Sequence, residues 1–287
     1  MKNVANTRKS IAPDKTIFNM LGPITNPANA KIQLIGVYNN EVMHLITNAL
    51  LELGTSRALI INSRDGMDEA SIYSETDVLE IKNRNIKNFK NKNYKIPNYD
   101  KEILIKEANL FCDWYVKNNL TKNKRIKFVK KYKKIIRKLT LNLKLKNNVF
   151  VHRDFHVSNL MLVNNQIGVI DSQDALIGNK AYDLSSLIDD VRLKTSYQLK
   201  DKIFSYYLKT NKRIVGNKFK TDFEILSVLR NLKIIGIFMR LAVRDNKKKY
   251  LKLIPYAWKM IDYRMCQNKV FNNLYLLLKN NFPKFIG

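Results

Sequence analysis

The residues best suited to chemistry crowd into positions 149–175, "VFVHRDFHVSNLMLVNNQIGVIDSQDA", which hold two of the chain's three histidines. Within them, "NLMLV" and "QIGVID" are two short apolar runs around an Asn-Asn turn, a pattern that predicts a β-hairpin. If Val163 lies opposite Ile167, the same register sets Asn159 opposite Asp171 at the open end. An amide oxygen and a carboxylate brought together there are hard donors for Mg²⁺, which shares its coordination with phosphate oxygens. Asp154, shortly before Asn159, can accept or orient the proton of an attacking hydroxyl. The chemistry such a trio serves is phosphoryl transfer, which depends mainly on positioning and charge stabilisation in a loose transition state.

His152, Arg153, Asp154 and Asn159 fit the kinase catalytic-loop pattern HRDxxxxN residue for residue. That pattern makes Asp154 the base and gives Asn159 and Asp171 to the metal. His152, Arg153 and His156 are read as supporting residues of the loop. Asp183, opening the helical pattern "YDLSSLIDDV", is read as a cap or brace for it.

Elements must hold these residues in place, and the pattern changes along the chain. Residues 33–38 and 57–62 are β-branched apolar runs separated by helical spacing over 42–53, which predicts an α/β fragment with a parallel-sheet layer. Residues 83–95, "NRNIKNFKNKNYK", lack apolar periodicity and read as a Lys/Asn-rich linker. Beyond them, helical spacing over 101–117, 124–144, 199–209, 223–242 and 251–265 predicts a mostly helical lobe carrying the catalytic hairpin. The expected organisation is therefore 1–82, a linker at 83–95, and 96–287.

Composition sets bounds on function. The chain has 287 residues, 45% of them hydrophobic, and a net charge of +28. Residues 1–82 hold 8 Lys+Arg against 9 Asp+Glu, so the basic excess lies beyond them. Such a surface can attract nucleic acid through phosphate contacts, but no nucleic-acid-binding motif accompanies it, and a Lys/Asn-rich solvated surface is the simpler reading. The longest apolar runs are too short for a membrane span, and a cytoplasmic location is expected. Cys112 and Cys266 are too far apart for a zinc cluster and are expected to be buried, reduced thiols.

Two family resemblances follow from longer stretches. "MKNVANTR", "TIFNMLGPITNPA", "QLIGVY", "LGTSRALI" and "DGMDEAS" resemble the later part of anthranilate phosphoribosyltransferases, with Asn6 where that family commonly has proline. The resemblance implies that Arg8 contacts anthranilate and that Asp68 and Glu69 hold magnesium on a diphosphate. "VHRDFHVSNLM", "GVIDSQDALIGNKAYDLSSLIDD" and "GIFMRLAVRDNKKKYL" resemble the aminoglycoside phosphotransferase and choline kinase superfamily over residues 96–279, and within it the N-acetylmuramate/N-acetylglucosamine kinases. It implies ATP as phosphoryl donor, Mg²⁺ and a small sugar acceptor. Ser172 departs from the aromatic residue usual after the metal-binding Asp, and Asn179 from a frequent proline.

Both families also grip phosphate with a segment earlier than the part matched here. None of the nine glycines lies closer to another than Gly168 does to Gly178, so no GxGxxG, GxxxxGK or GTGGD loop exists in this sequence. The expectation is a phosphotransferase lacking its nucleotide-binding lobe, which a separate chain could supply. The alternatives are an anthranilate phosphoribosyltransferase fragment or fusion, and a non-enzymatic basic protein that binds RNA or a partner.

Overall fold

The computed structural model describes residues 24, 32–71, 74–91, 96–163, 165–211 and 215–287. The chain divides into two compact units, residues 1–95 and 96–287.

In the first unit, strand β1 (Ile32–Gly36) leads through helix α1 (Asn40–Glu52) to strand β2 (Arg57–Ser63), and the two strands pair in parallel, Gln33 against Ala58. The Asn39 side chain accepts from the Val42 amide at 2.8 Å, satisfying one of the free donors at the helix start. Val42, Met43, Ile46 and Leu50 form one face and pack with Ile35, Ala58, Ile60 and Leu79. Among the described strands of this unit, only this first pair is parallel. β3 (Thr76–Lys82) and β4 (Asn85–Asn91) add antiparallel in the order β1-β2-β3-β4, so the sheet is mixed rather than the parallel layer expected. β4 places residues 85–91 of the expected 83–95 linker in the sheet, while residues 92–95 lie outside the described residues. Asn83 and Arg84 take φ of 51° and 61°, the left-handed pair that closes a two-residue hairpin.

In the second unit, α2 (Lys101–Leu110) runs into a π-helical stretch, Phe111–Val116, followed by α3 (Lys122–Leu141). Strands β5 (Asn147–Val151), β6 (Leu160–Val163), β7 (Gln166–Val169) and β8 (Leu176–Asn179) come next. Helices α4 (Tyr182–Ile188), α5 (Tyr197–Thr210), α6 (Gly216–Val243), α7 (Ile254–Met265) and α8 (Asn272–Asn281) complete it. β5 pairs with β8 and β6 with β7, both antiparallel. Phe111 is at the centre of the aromatic core, with Trp258, Tyr115 and Phe282 rings 5.4–6.0 Å away.

α6 is buried along most of its length and packs on α2, the π-helical stretch, α4 and α7. At Gly236 it comes so close that an added Cβ would lie 2.4 Å from the Leu110 backbone. Cys112 is buried as expected; Cys266 is exposed, one residue beyond the end of α7. Among the described residues, no helix is long and apolar enough to cross a membrane.

Candidate active site

β5 delivers the chain to His152, and the turn that follows is held from below by one carboxylate. Asp183, in the first turn of α4, accepts from the backbone amides of His152 (2.7 Å) and Arg153 (3.0 Å). Those two bonds fix Arg153 at φ 72°, a conformation uncommon for a residue with a Cβ. Burial raises the Asp183 pKa, and the two amides offset this only in part. The buried His152 ring bonds through Nε2 to the Ile170 carbonyl at 2.9 Å, which ties the turn to the residue following β7. Since a carbonyl only accepts, Nε2 carries the proton.

Asp154 is half-buried. A 3₁₀ turn, Val157–Asn159, returns the chain toward it, and the Asn159 amide nitrogen donates to the Asp154 carbonyl at 3.0 Å and to Asp171 Oδ2 at 3.4 Å. The carboxamide and carboxylate thus meet, but in a register different from that expected. Val163 pairs with Gln166 and Leu162 with Ile167, because the hairpin closes through two residues with Asn165 at φ 60°. A slip of one residue would normally move a side chain to the opposite face. Asp171 compensates with its own left-handed φ of 70°, and its other oxygen accepts from Gln173 Nε2 at 2.6 Å. Asp171 is exposed and Asn159 is buried. No cluster of three His, Cys, Asp or Glu occurs among the described residues. A donor set of one carboxylate and one amide oxygen suits a cation that takes its other ligands from phosphates and water.

A buried ionic cluster that the sequence reading missed lies beneath Arg153. Its guanidinium contacts Glu107 at 2.5 Å and the Asp174 carbonyl at 2.9 Å, and lies 5.3 Å from the centre of the Tyr99 ring. Lys233 reaches the same Glu107 oxygen at 2.9 Å, while the Tyr99 hydroxyl donates to the other. Burial pushes the Glu107 carboxyl up, but Lys233, Tyr99 and Arg153 together outweigh it and hold it below its ordinary value. Nothing in "KEILIKEANLF" distinguishes Glu107 from a solvated helical acid. Its role emerges only when α2, α6 and the loop after β5 converge.

His156 is buried just before the 3₁₀ turn, and its backbone carbonyl accepts from the Asn159 amide at 2.9 Å. Its pKa is lowered by burial first, then by the nearby Arg192. Arg244 and Asp245 pair with each other at 2.7 Å on the surface.

In the first unit, Asp68 and Glu69 are both exposed, in the loop between β2 and β3. The loop passes over the end of β1, where a Cβ on Gly36 would lie 1.5 Å from the Asp68 carbonyl oxygen. Arg8 lies outside the described residues.

Comparison with known proteins assigns the two segments separately. Residues 94–213 match the family described as "Phosphotransferase enzyme family", and residues 1–104 match "Glycosyl transferase family, a/b domain". The chain is similar to an N-acetylmuramate/N-acetylglucosamine kinase from Neisseria meningitidis serogroup B, with 38% identity over 165 residues, covering 55% of this chain and 49% of that protein. Anthranilate phosphoribosyltransferases from Acetivibrio thermocellus (46% over 86 residues) and Bacillus licheniformis (50% over 82 residues) are similar over 30% and 29% of this chain, 25% and 24% of their own lengths. The chain therefore spans about half of one relative and a quarter of the others. It joins a segment homologous to the phosphotransferases to one homologous to the phosphoribosyltransferases.

Proposed function

We propose that the second unit is the catalytic lobe of an ATP-dependent phosphotransferase acting on a sugar hydroxyl of the amino-sugar type. The observation that carries this reading is the meeting of Asn159 and Asp171 beside the Asp154 loop, braced by Asp183. In this reading Asp154 accepts the acceptor hydroxyl's proton. Asn159 and Asp171 hold Mg²⁺, which when bound offsets charge on the phosphates. His152 and Asp183 fix the loop, Arg153 anchors it to Glu107, and His156 supports the turn that presents Asn159.

We infer further that a nucleotide-gripping lobe, which a separate chain could supply, covers the hairpin face. The hairpin face supports this, since Leu162 is 75% and Ile167 70% exposed, and an apolar surface of that kind suits a covering lobe or a purine base. Transfer of phosphate from ATP to N-acetylmuramate tests the reading. An Asp154→Ala variant that retains wild-type activity would remove Asp154 from the mechanism.

A second reading concerns the first unit, whose homology and exposed Asp68–Glu69 pair support a phosphoribosyltransferase fragment with Arg8 toward anthranilate. Phosphoribosyl transfer to anthranilate by the full chain, lost in an Asp68→Ala, Glu69→Ala variant, would establish it.

A further inference from the structure

Helix α3, "KNKRIKFVKKYKKIIRKLTL", holds ten lysines and arginines in 20 residues and neither aspartate nor glutamate. The whole chain has 52 Lys+Arg in 287 residues, so this helix is more than twice as basic as an even spread would make it. Phe128, Tyr132, Ile136 and Leu139 are buried in the core, which leaves the cations on the solvent side, nine of them exposed and Arg125 partly so. The ion pairs of this unit are made by cations of other elements, and none among the described residues involves α3. Like charges also stand one turn apart, Lys127 with Lys131, Lys130 with Lys134 and Lys133 with Arg137, an arrangement that weakens a helix. A partner of dense negative charge relieves that repulsion.

Two grooves flank the helix, and they differ in charge. Toward α2, Lys133, Lys134 and Arg137 share theirs with Glu102 and Asp113, which offset part of the charge. Toward α8 lies a groove of about 280 Å³ whose charged wall is Lys124, Lys127 and Lys131, with no acid among its lining residues. Asn280 and Asn281 of α8 form the other wall, Asn280 exposed and Asn281 tied to the Leu277 carbonyl at 2.8 Å. The groove is small for a cavity that encloses a ligand, and suits a chain laid along it. From Lys124 to Lys131 the helix advances about 10 Å, roughly three phosphates of one duplex strand at about 3.4 Å of axis each.

We propose that the groove between α3 and α8 docks the phosphate backbone of a double-stranded nucleic acid, without reading its sequence. This goes beyond the phosphotransferase reading and does not depend on it. Lys124, Lys127 and Lys131 contact successive phosphates, and Asn280 donates to the same strand. Two further observations select the partner. The aromatic residues of α3, Phe128 and Tyr132, are 2% and 0% exposed, so the face lacks the stacking rings that hold single strands. The exposed large apolar residues of α3 are Ile126 and Leu141, far apart along it, whereas a helix lying in a membrane surface turns a continuous apolar face to the lipid.

Fluorescence anisotropy of the full chain with a short labelled DNA duplex of mixed sequence, repeated over a range of salt, gives the test. The logarithm of the binding constant is expected to fall against that of salt with a slope of about −4, as roughly four phosphate contacts require. Lys124→Gln, Lys127→Gln and Lys131→Gln together should flatten the slope by about 3 and weaken binding about tenfold near physiological salt. All three side chains are exposed, so this variant should keep the wild-type urea midpoint. A control with the same change in net charge, Lys202→Gln, Lys209→Gln and Lys218→Gln on α5 and α6, should bind within about threefold of wild type. Equal losses in the two triple variants would show net charge alone at work and overturn the site. So would failure of the wild type to bind the duplex near physiological salt, or tighter binding to a single strand of the same length. Binding to phosphatidylglycerol vesicles but not to the duplex would assign the face to a membrane and overturn it as well.

Discussion

Replacing Glu107 with Ala removes the one carboxylate shared by Arg153 and Lys233, whose side chains are 20% and 14% exposed. Deleting one partner of a buried ion pair costs about 3–5 kcal/mol, chiefly because the other charge stays buried and uncompensated. The residual exposure of both cations favours the lower part of that range, and the Tyr99 hydroxyl, losing its acceptor, adds about 1 kcal/mol. The expected loss is therefore roughly 3–5 kcal/mol, a large part of the roughly 5–15 kcal/mol that holds a typical domain together. Urea unfolding followed by tryptophan fluorescence suits the measurement, because Trp114 and Trp258 both belong to residues 96–287. With a slope of about 2 kcal/mol per molar, the midpoint should fall by roughly 1.5–2.5 M. Glu107→Gln, which keeps an acceptor, should lose less. The depressed Glu107 pKa sets the pH dependence: its contribution is present above the unfolded carboxylate pKa and is lost as pH falls through the lower folded value. The difference between wild type and Glu107→Ala should therefore shrink only in strong acid. A midpoint shift below about 0.5 M at neutral pH would refute the view that this cluster anchors the loop.

Other perturbations probe separate parts of the second unit. Asp222 is fully buried and accepts from the Lys144 amide (2.8 Å), the Leu145 amide (2.9 Å) and Asn179 Nδ2 (2.7 Å); Asp222→Ala should cost at least about 3 kcal/mol in urea unfolding. Asp183→Ala frees the two amides that hold Arg153 in its left-handed conformation, and hydrogen exchange at His152 and Arg153 should accelerate well beyond that of β5. Gly236→Ala drives a methyl into the Leu110 backbone, and despite alanine's better helix propensity should destabilise by about 1–3 kcal/mol. Glu224 is 1% exposed with its pKa raised by burial, so its folding contribution is favourable below the ordinary carboxylate range and is lost as pH rises through the raised value. Glu224→Gln should accordingly be more stable than wild type at pH 8, with the difference closing toward acid.

Local signals carried a good deal of this architecture. The apolar run, helical face and second run from β1 to β2 were legible because each buries a face with its own period. The hairpin was legible too, since two short apolar strands flank a turn-forming pair. Its register was not, because the choice between a two- and a three-residue closure depends on Asn165 adopting a left-handed φ, and Asp171 then restores by backbone twist what the shifted register would have lost. β4 escaped detection for another reason. Ile86 and Phe89 are three residues apart, so they fall on opposite faces, and the strand is defined by its turn and by pairing with β3. Glu107, Arg230 and Asp222 look like ordinary helical surface charges in sequence, and only tertiary packing removes them from water. Cys266 shows the converse, a residue type usually buried that falls just past the last turn of α7.

The position of α6 also bears on how the chain is made. Its near-complete burial depends on α2, which precedes it by more than a hundred residues, and α4 packs on it as well. At about 5–20 residues per second, a ribosome needs roughly 7–27 s to travel from Leu110 to Val243. For about the last 4–15 s of that interval the HRD turn and its hairpin have left the ribosome's active centre ahead of α6. Long-range packing of this sort slows the acquisition of structure. The Arg153–Glu107–Lys233 cluster, which takes Lys233 from α6, is therefore among the last parts of the lobe to be completed.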